Sequence, residues 1–104
     1  MPRSKDYRES LIERLRDPQK ALDYLNAALE DCIDGSPESQ QVLLIALKTV
    51  AEAQGGITQI ARKTKLGRES LYKTLSKRGN PKLTTFTALL SALGFDFKLS
   101  LAKR

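Results

Sequence analysis

The segment at residues 56–79, GITQIARKTKLGRESLYKTLSKRG, constrains this chain more than any other. It reads as two short helices joined by a corner. Gly56-Ile57-Thr58 opens the first, which carries Ile60 and Ala61 inward. The second runs from about Arg68 to Leu75 and turns Leu71 and Leu75, one helical turn apart, toward the core. Thr64-Lys65-Leu66-Gly67 between them is too short for anything but a sharp turn. A helix-turn-helix of this kind can lay its second helix in the DNA major groove, where side chains reach base edges. The outward positions there are Arg68, Glu69, Ser70, Tyr72 and Lys73.

The flanking sequence predicts more helices. Residues 1–16 place Tyr7, Leu11, Ile12 and Leu15 at helical spacing, with little nearby to bury against. Asp17-Pro18 is a helix start, an N-cap followed by proline at the first helical position. The helix that follows stripes Leu22, Leu25 and Leu29, with Tyr24 and Ala28 beside them, and ends near Cys32. Ser36-Pro37 repeats the signal. The next helix carries Leu43, Leu47 and Val50, flanked by Val42, Ala46 and Ala51 and widened by Leu44 and Ile45. It should be the most buried of the set. Gly55-Gly56 stops it. After the Gly79-Asn80-Pro81 loop, Phe86, Leu89, Leu90 and Leu93 define a last helix that stops at Gly94.

The tail changes period. Phe95-Asp96-Phe97-Lys98-Leu99-Ser100-Leu101 alternates apolar and polar, which is strand patterning. A lone strand forms no sheet, so it needs a second copy, a partner protein or another segment of this chain. Otherwise it is an apolar tail laid over the helices. The expected architecture is all-α: five helices that include the helix-turn-helix over 17–94, an N-terminal amphipathic extension at 1–16, and a short strand and tail at 95–104.

Composition narrows the function classes. A chain of 104 residues with 40% hydrophobic residues fits one domain with one modest core. It has no histidine and one cysteine, Cys32, read as a small apolar filler. That excludes a disulfide within the chain and the usual zinc ligand sets. No run of 18 apolar residues occurs, and MPRSKDYRES lacks a signal-peptide core, so no membrane association is expected. The expected location is the cytoplasm. Without histidine, a Cys–base pair or a phosphate loop beyond the isolated Gly55-Gly56, no enzyme is expected, nor any cofactor or metal.

The net charge of +6 is segregated. Residues 1–16 carry five bases against three acids, residues 17–54 two against seven, and residues 55–104 eleven against two. Two surfaces with different partners are implied. The basic half contains the helix pair and calls for a polyanion.

At this point the chain resembles the Xre/HigA-like antitoxins, the addiction-module antidote group of bacterial toxin–antitoxin systems. The resemblance rests on Ser10-Leu11 through Leu15, Asp17-Pro18, Tyr24-Leu25-Asn26-Ala27-Ala28-Leu29 and Ala46-Leu47. It continues through Gly55-Gly56, Thr58-Gln59-Ile60-Ala61, Arg68-Glu69-Ser70-Leu71-Tyr72 and Gly79-Asn80-Pro81, covering nearly the whole chain. It implies a bacterial protein, nucleoid-associated when on DNA, whose five-helix repressor-like DNA-binding core dimerises on a palindromic operator. It also implies a small basic toxin of the RelE/HigB ribonuclease type, neutralised by this chain, and repression of its own operon. Two positions depart from the pattern. Lys65 stands where the family has glycine in a left-handed conformation, at a cost of roughly 1 kcal/mol. Gly67 stands in place of a serine cap and gives up only a few tenths of a kcal/mol, roughly.

Candidate DNA-binding residues follow. Arg68 and Lys73 can donate to guanine, and Glu69 can accept from cytosine or simply pair with Arg68 or Lys73. Tyr72 can meet a thymine methyl or a phosphate, or serve as a half-buried support beside Leu75, and Ser70 is a further candidate. Thr58 and Gln59 at a helix N-terminus, and Lys77, Arg78 and Asn80 beyond the second helix, are candidates for phosphate. Arg62, Lys63 and Lys65 read as solvated charge. For the toxin, the candidates are Leu11, Ile12 and Leu15 on the extension and Asp23, Glu30 and Asp31, with Asp34, on the acidic segment. Phe95, Phe97, Leu99 and Leu101 are candidates for homodimerisation by strand pairing. The competing readings are a stand-alone repressor without a toxin, and a toxin-neutralising module without specific DNA binding.

Overall fold

Capping residues set the frame. In the computed structural model, which describes residues 4–32, 36–76, 80–96, 98–99 and 101, six helices form and no strand is found among those residues. Helix α1 spans Ser4–Arg14, α2 Pro18–Cys32 and α3 Pro37–Ala53. Asp17 accepts the backbone N–H of Gln19 at 2.9 Å, and Ser36 accepts that of Ser39 at 3.2 Å. Each satisfies an orphan amide at a proline-initiated helix start. Helices α2 and α3 make the most extensive pairing in the fold. Helix α4 (Gly56–Thr64) packs on α3, on α5 (Arg68–Thr74) and on α6 (Leu83–Ala92), while α1 packs on α3.

One core joins all six helices. Leu25, Leu47, Val50, Ile60, Leu71, Leu75 and Leu89 are among its buried members. Helix α3 supplies Leu44, Ala46, Leu47, Thr49, Val50, Ala51 and Ala53, as its broad apolar face predicts. Val42 and Ile45 on the same helix are exposed, so the apolar circumference exceeds what the neighbours cover. On α2 the most buried positions are Ala21, Leu25 and Ala28, with Leu22 and Leu29 half-buried. Small side chains at the centre of the contact let the backbones approach.

The N-terminal segment corrects the expected five-helix count. It is a sixth helix of the core, not a loose extension. Leu11 and Leu15 are buried at 8% and 2% exposure. Arg8 pairs with Glu52 of α3 at 2.6 Å and donates to Thr49 Oγ1 at 3.5 Å. Thr49 in turn donates to the Ile45 carbonyl, so its buried hydroxyl is satisfied. Gln54, at the end of α3, donates its side-chain amide to the carbonyls of Leu15 and Arg16 at 2.7 and 3.1 Å. Those carbonyls lie past the last turn of α1, where helix geometry leaves acceptors without partners.

The tail corrects the expected strand. The Gly94 N–H donates to the Ser91 carbonyl and the Phe95 N–H to the Leu90 carbonyl, with Gly94 at φ +87°. This six-to-one closure ends α6 and folds Phe95 back beside Leu90. The first residue of the alternating segment thus packs half-buried against the core. Asp96, Lys98, Leu99 and Leu101 follow with no regular structure, Leu99 and Leu101 almost wholly exposed. Phe97 lies outside the described residues. A single strand has nothing here to pair with. Among the described residues, no helix is long and apolar enough to cross a membrane.

Candidate nucleic-acid interface

Local chemistry builds the corner between α4 and α5. Gly55 and Gly56 carry φ of +117° and +87° as the chain leaves α3 and turns into α4. The torsion at Gly55 calls for glycine, and a Cβ there would also crowd Gln59 Cγ at 3.3 Å. Helix α4 buries Ile57 and Ile60. At its end, the Thr64 hydroxyl donates to the Ile60 carbonyl at 2.8 Å and accepts the Leu66 N–H at 3.3 Å. One side chain therefore closes the helix and starts the turn.

Lys65 adopts the left-handed conformation that the sequence asks of this position, with φ +61° and ψ +15°. It is the one non-glycine residue at positive φ among those described. Gly67 then caps α5 in extended conformation without a side-chain hydrogen bond. The corner keeps its geometry and bears a local cost. Lys65→Gly is therefore expected to stabilise the fold by about 1 kcal/mol. Thermal denaturation should show the midpoint rising by roughly 4–8 °C. An unchanged midpoint would mean that the left-handed torsion carries no strain here.

Helix α5 divides cleanly. Leu71 and Leu75 are buried at 0% and 1%, while Arg68, Glu69, Ser70, Tyr72 and Lys73 are all exposed. Glu69 makes no ion pair among the described residues, so its pairing with Arg68 or Lys73 does not form. Tyr72 is 42% exposed, which combines the two readings of it, a surface contact and a support. The Arg68 guanidinium carbon lies 5.7 Å from the Tyr72 ring centre, and the Lys48 ammonium 5.9 Å. Lys48 belongs to α3 and escaped the sequence reading. It is one of two bases in the acidic segment, and nothing in its local pattern ties it to α5. Thr64, the residue that sets the turn, was likewise visible only as part of the corner.

The remaining candidates disperse. Thr58 and Gln59 are exposed on the first turn of α4, and Asn80 is exposed before α6. Lys77 and Arg78 lie outside the described residues, as does Asp34. Arg62, Lys63 and Lys65 are exposed. On the opposite charge, Asp23 is exposed and accepts from the Gln19 side chain at 3.2 Å, while Glu30 and Asp31 are exposed at the end of α2. Leu11 and Leu15 are core residues and Ile12 packs against them, so the apolar face of α1 is already occupied. That corrects the picture of an extension free to meet a toxin.

Comparison with known proteins places this arrangement in a family. A curated protein of Haemophilus influenzae (strain Rd), described only as "Uncharacterized protein", is 33% identical over 89 residues, which cover 86% of this chain and 84% of that protein. No solved structure matches significantly. A family model described as "Probable addiction module antidote protein" matches residues 7–101, from the first turn of α1 to the exposed tail. The chain therefore belongs to the addiction-module antidote family.

Proposed function

We propose that this protein is a type II antitoxin that reads operator DNA through α5, represses its own operon and neutralises a small ribonuclease toxin of the RelE/HigB type. The observation that carries the DNA half is the division of α5. Its two leucines are sealed in the core, and its five outward side chains are presented to solvent. A helix anchored so firmly can hold its side chains in register with base edges. Arg68 and Lys73 would donate to guanine, and Glu69, which has no ion pair among the described residues, would accept from cytosine N4. Thr58, Gln59 and Asn80 would take phosphate, which orients the protein without specifying sequence. Eleven bases against two acids over residues 55–104 supply the general attraction.

The partner half rests on family membership and on the opposite charge of residues 17–54. A ribonuclease toxin must be basic to hold RNA, and the exposed Asp23, Glu30 and Asp31 of α2 complement such a surface. Because Leu11 and Leu15 are buried, the toxin would meet α2 and not a detached α1. The homodimer expected of an operator reader would draw on Leu99 and Leu101, which are almost wholly exposed.

The test is binding to the duplex upstream of the protein's own gene, against a scrambled duplex, at two salt concentrations. Preference for the native duplex that survives at the higher salt is expected. Equal, salt-sensitive binding to both would leave a basic surface only and reduce the protein to its toxin-directed role.

A further inference from the structure

Lys48 is out of place in its own sequence neighbourhood. It is one of two bases in a segment with seven acids, yet its ammonium is carried to the basic side of the molecule, 5.9 Å from the Tyr72 ring centre. Arg68 approaches the same ring at 5.7 Å. Among the described residues neither cation pairs with a carboxylate, since the ion pairs there are Arg8–Glu52 and Arg16–Glu13. Two like charges gathered at one ring repel each other. The ring's quadrupole attracts each cation by roughly 0.5–1 kcal/mol at an exposed site but leaves the pair's positive charge uncompensated. What such a pair lacks is an anion.

We infer that the nucleic-acid interface extends from α5 onto α3, with Lys48 as a phosphate contact and Tyr72 as the residue that positions it beside Arg68. This rests on the reading of α5 as a DNA-binding helix. Lys48 stands on the frame of the fold, between buried Leu47 and Thr49, so its backbone is fixed. Its stem is half-buried and its charged end is held at the ring. A lysine so placed arrives at the duplex already oriented. It contacts phosphate as a point charge, whereas Arg68 on the first turn of α5 is directed at base edges. Tyr72 fixes the spacing between the two.

The experiment compares wild type, Lys48→Ala, Tyr72→Leu, Tyr72→Phe and the surface control Lys20→Ala on native and scrambled duplexes across a salt series. Lys48→Ala should lower the steepness of the log–log salt dependence by about 0.9, the value of one phosphate contact, on both duplexes alike. Its preference for the native duplex should be unchanged. Tyr72→Leu should lower the slope as Lys48→Ala does, and the two changes combined should lower it no further. Tyr72→Phe, which keeps the ring, should restore the slope lost in Tyr72→Leu. Lys20→Ala, the other base of the acidic segment, should leave it as in wild type. A wild-type slope in Lys48→Ala, on a protein whose binding is salt-dependent, overturns the proposal and leaves α5 as the reader. Loss of native-duplex preference in wild type itself overturns the reading of α5, while the slope still tests Lys48 on either duplex.

Discussion

Replacing Arg68 and Lys73 together by alanine is expected to reduce discrimination between the native and scrambled duplexes by about 100-fold or more, since each well-placed donor pair distinguishes bases by roughly 1–3 kcal/mol. Both side chains are exposed and neither makes an ion pair among the described residues. The fold should keep its stability to within roughly 1 kcal/mol, the Arg68 contact with the Tyr72 ring being the one lost, which thermal denaturation would check. Inhibition of the toxin should be unaffected, because the acidic face of α2 is untouched. The pattern separates the two halves of the proposed function. If discrimination survives, α5 does not read sequence. If discrimination and inhibition are lost together, the two surfaces are not independent.

The second large effect concerns stability. Leu71→Ala should cost about 2–5 kcal/mol, because the side chain is 0% exposed and its removal leaves a hole that a packed core closes only in part. Domains of this size carry about 5–15 kcal/mol in all, so much of the reserve would go. The midpoint of thermal unfolding should fall by roughly 10–20 °C. Leu83→Ala, at a leucine 70% exposed, is the matched control and should shift little. Equal effects at the two positions would mean that α5 is not anchored as described. Since the outward residues of α5 depend on that anchor, operator binding by the Leu71 variant should be lost near its lowered midpoint, ahead of the wild type.

What could be read from the sequence was whatever is written locally. Asp17-Pro18 and Ser36-Pro37 mark their helices because cap and proline act within one turn. The corner at Thr64 to Gly67, with a left-handed residue at Lys65, is equally local. Gly94 ended α6 where expected. The features that escaped depend on distant segments. Residues 1–16 seemed short of anything to bury against, because Arg8 finds Thr49 and Glu52, and Leu15 finds Gln54, only after the chain has doubled back. Helix α3 is apolar nearly all round, and pattern alone could not say that Val42 and Ile45 would be left uncovered. The alternation from Phe95 to Leu101 is real strand patterning, but a strand is a property of pairs. Here Phe95 is captured by the end of its own helix. Lys48 beside Tyr72 joins two helices whose separate patterns give no hint of the meeting.

The clasp between α1 and α3 also sets an order of events. Its hydrogen bonds and ion pair span 38 to 44 residues. Helix α1 leaves the ribosome before α3, yet the residues that hold it arrive only when α3 is complete. The capped helices behind it have their start signals within a few residues and need not wait. Helix α1 is thus secured only after α3 follows it, and closing so wide a loop costs more entropy than any contact inside α4 and α5. The same arithmetic runs backward when the protein opens. Hydrogen exchange should find the amides of α1 released before those of α3, so that the clasp opens ahead of the frame it closes on.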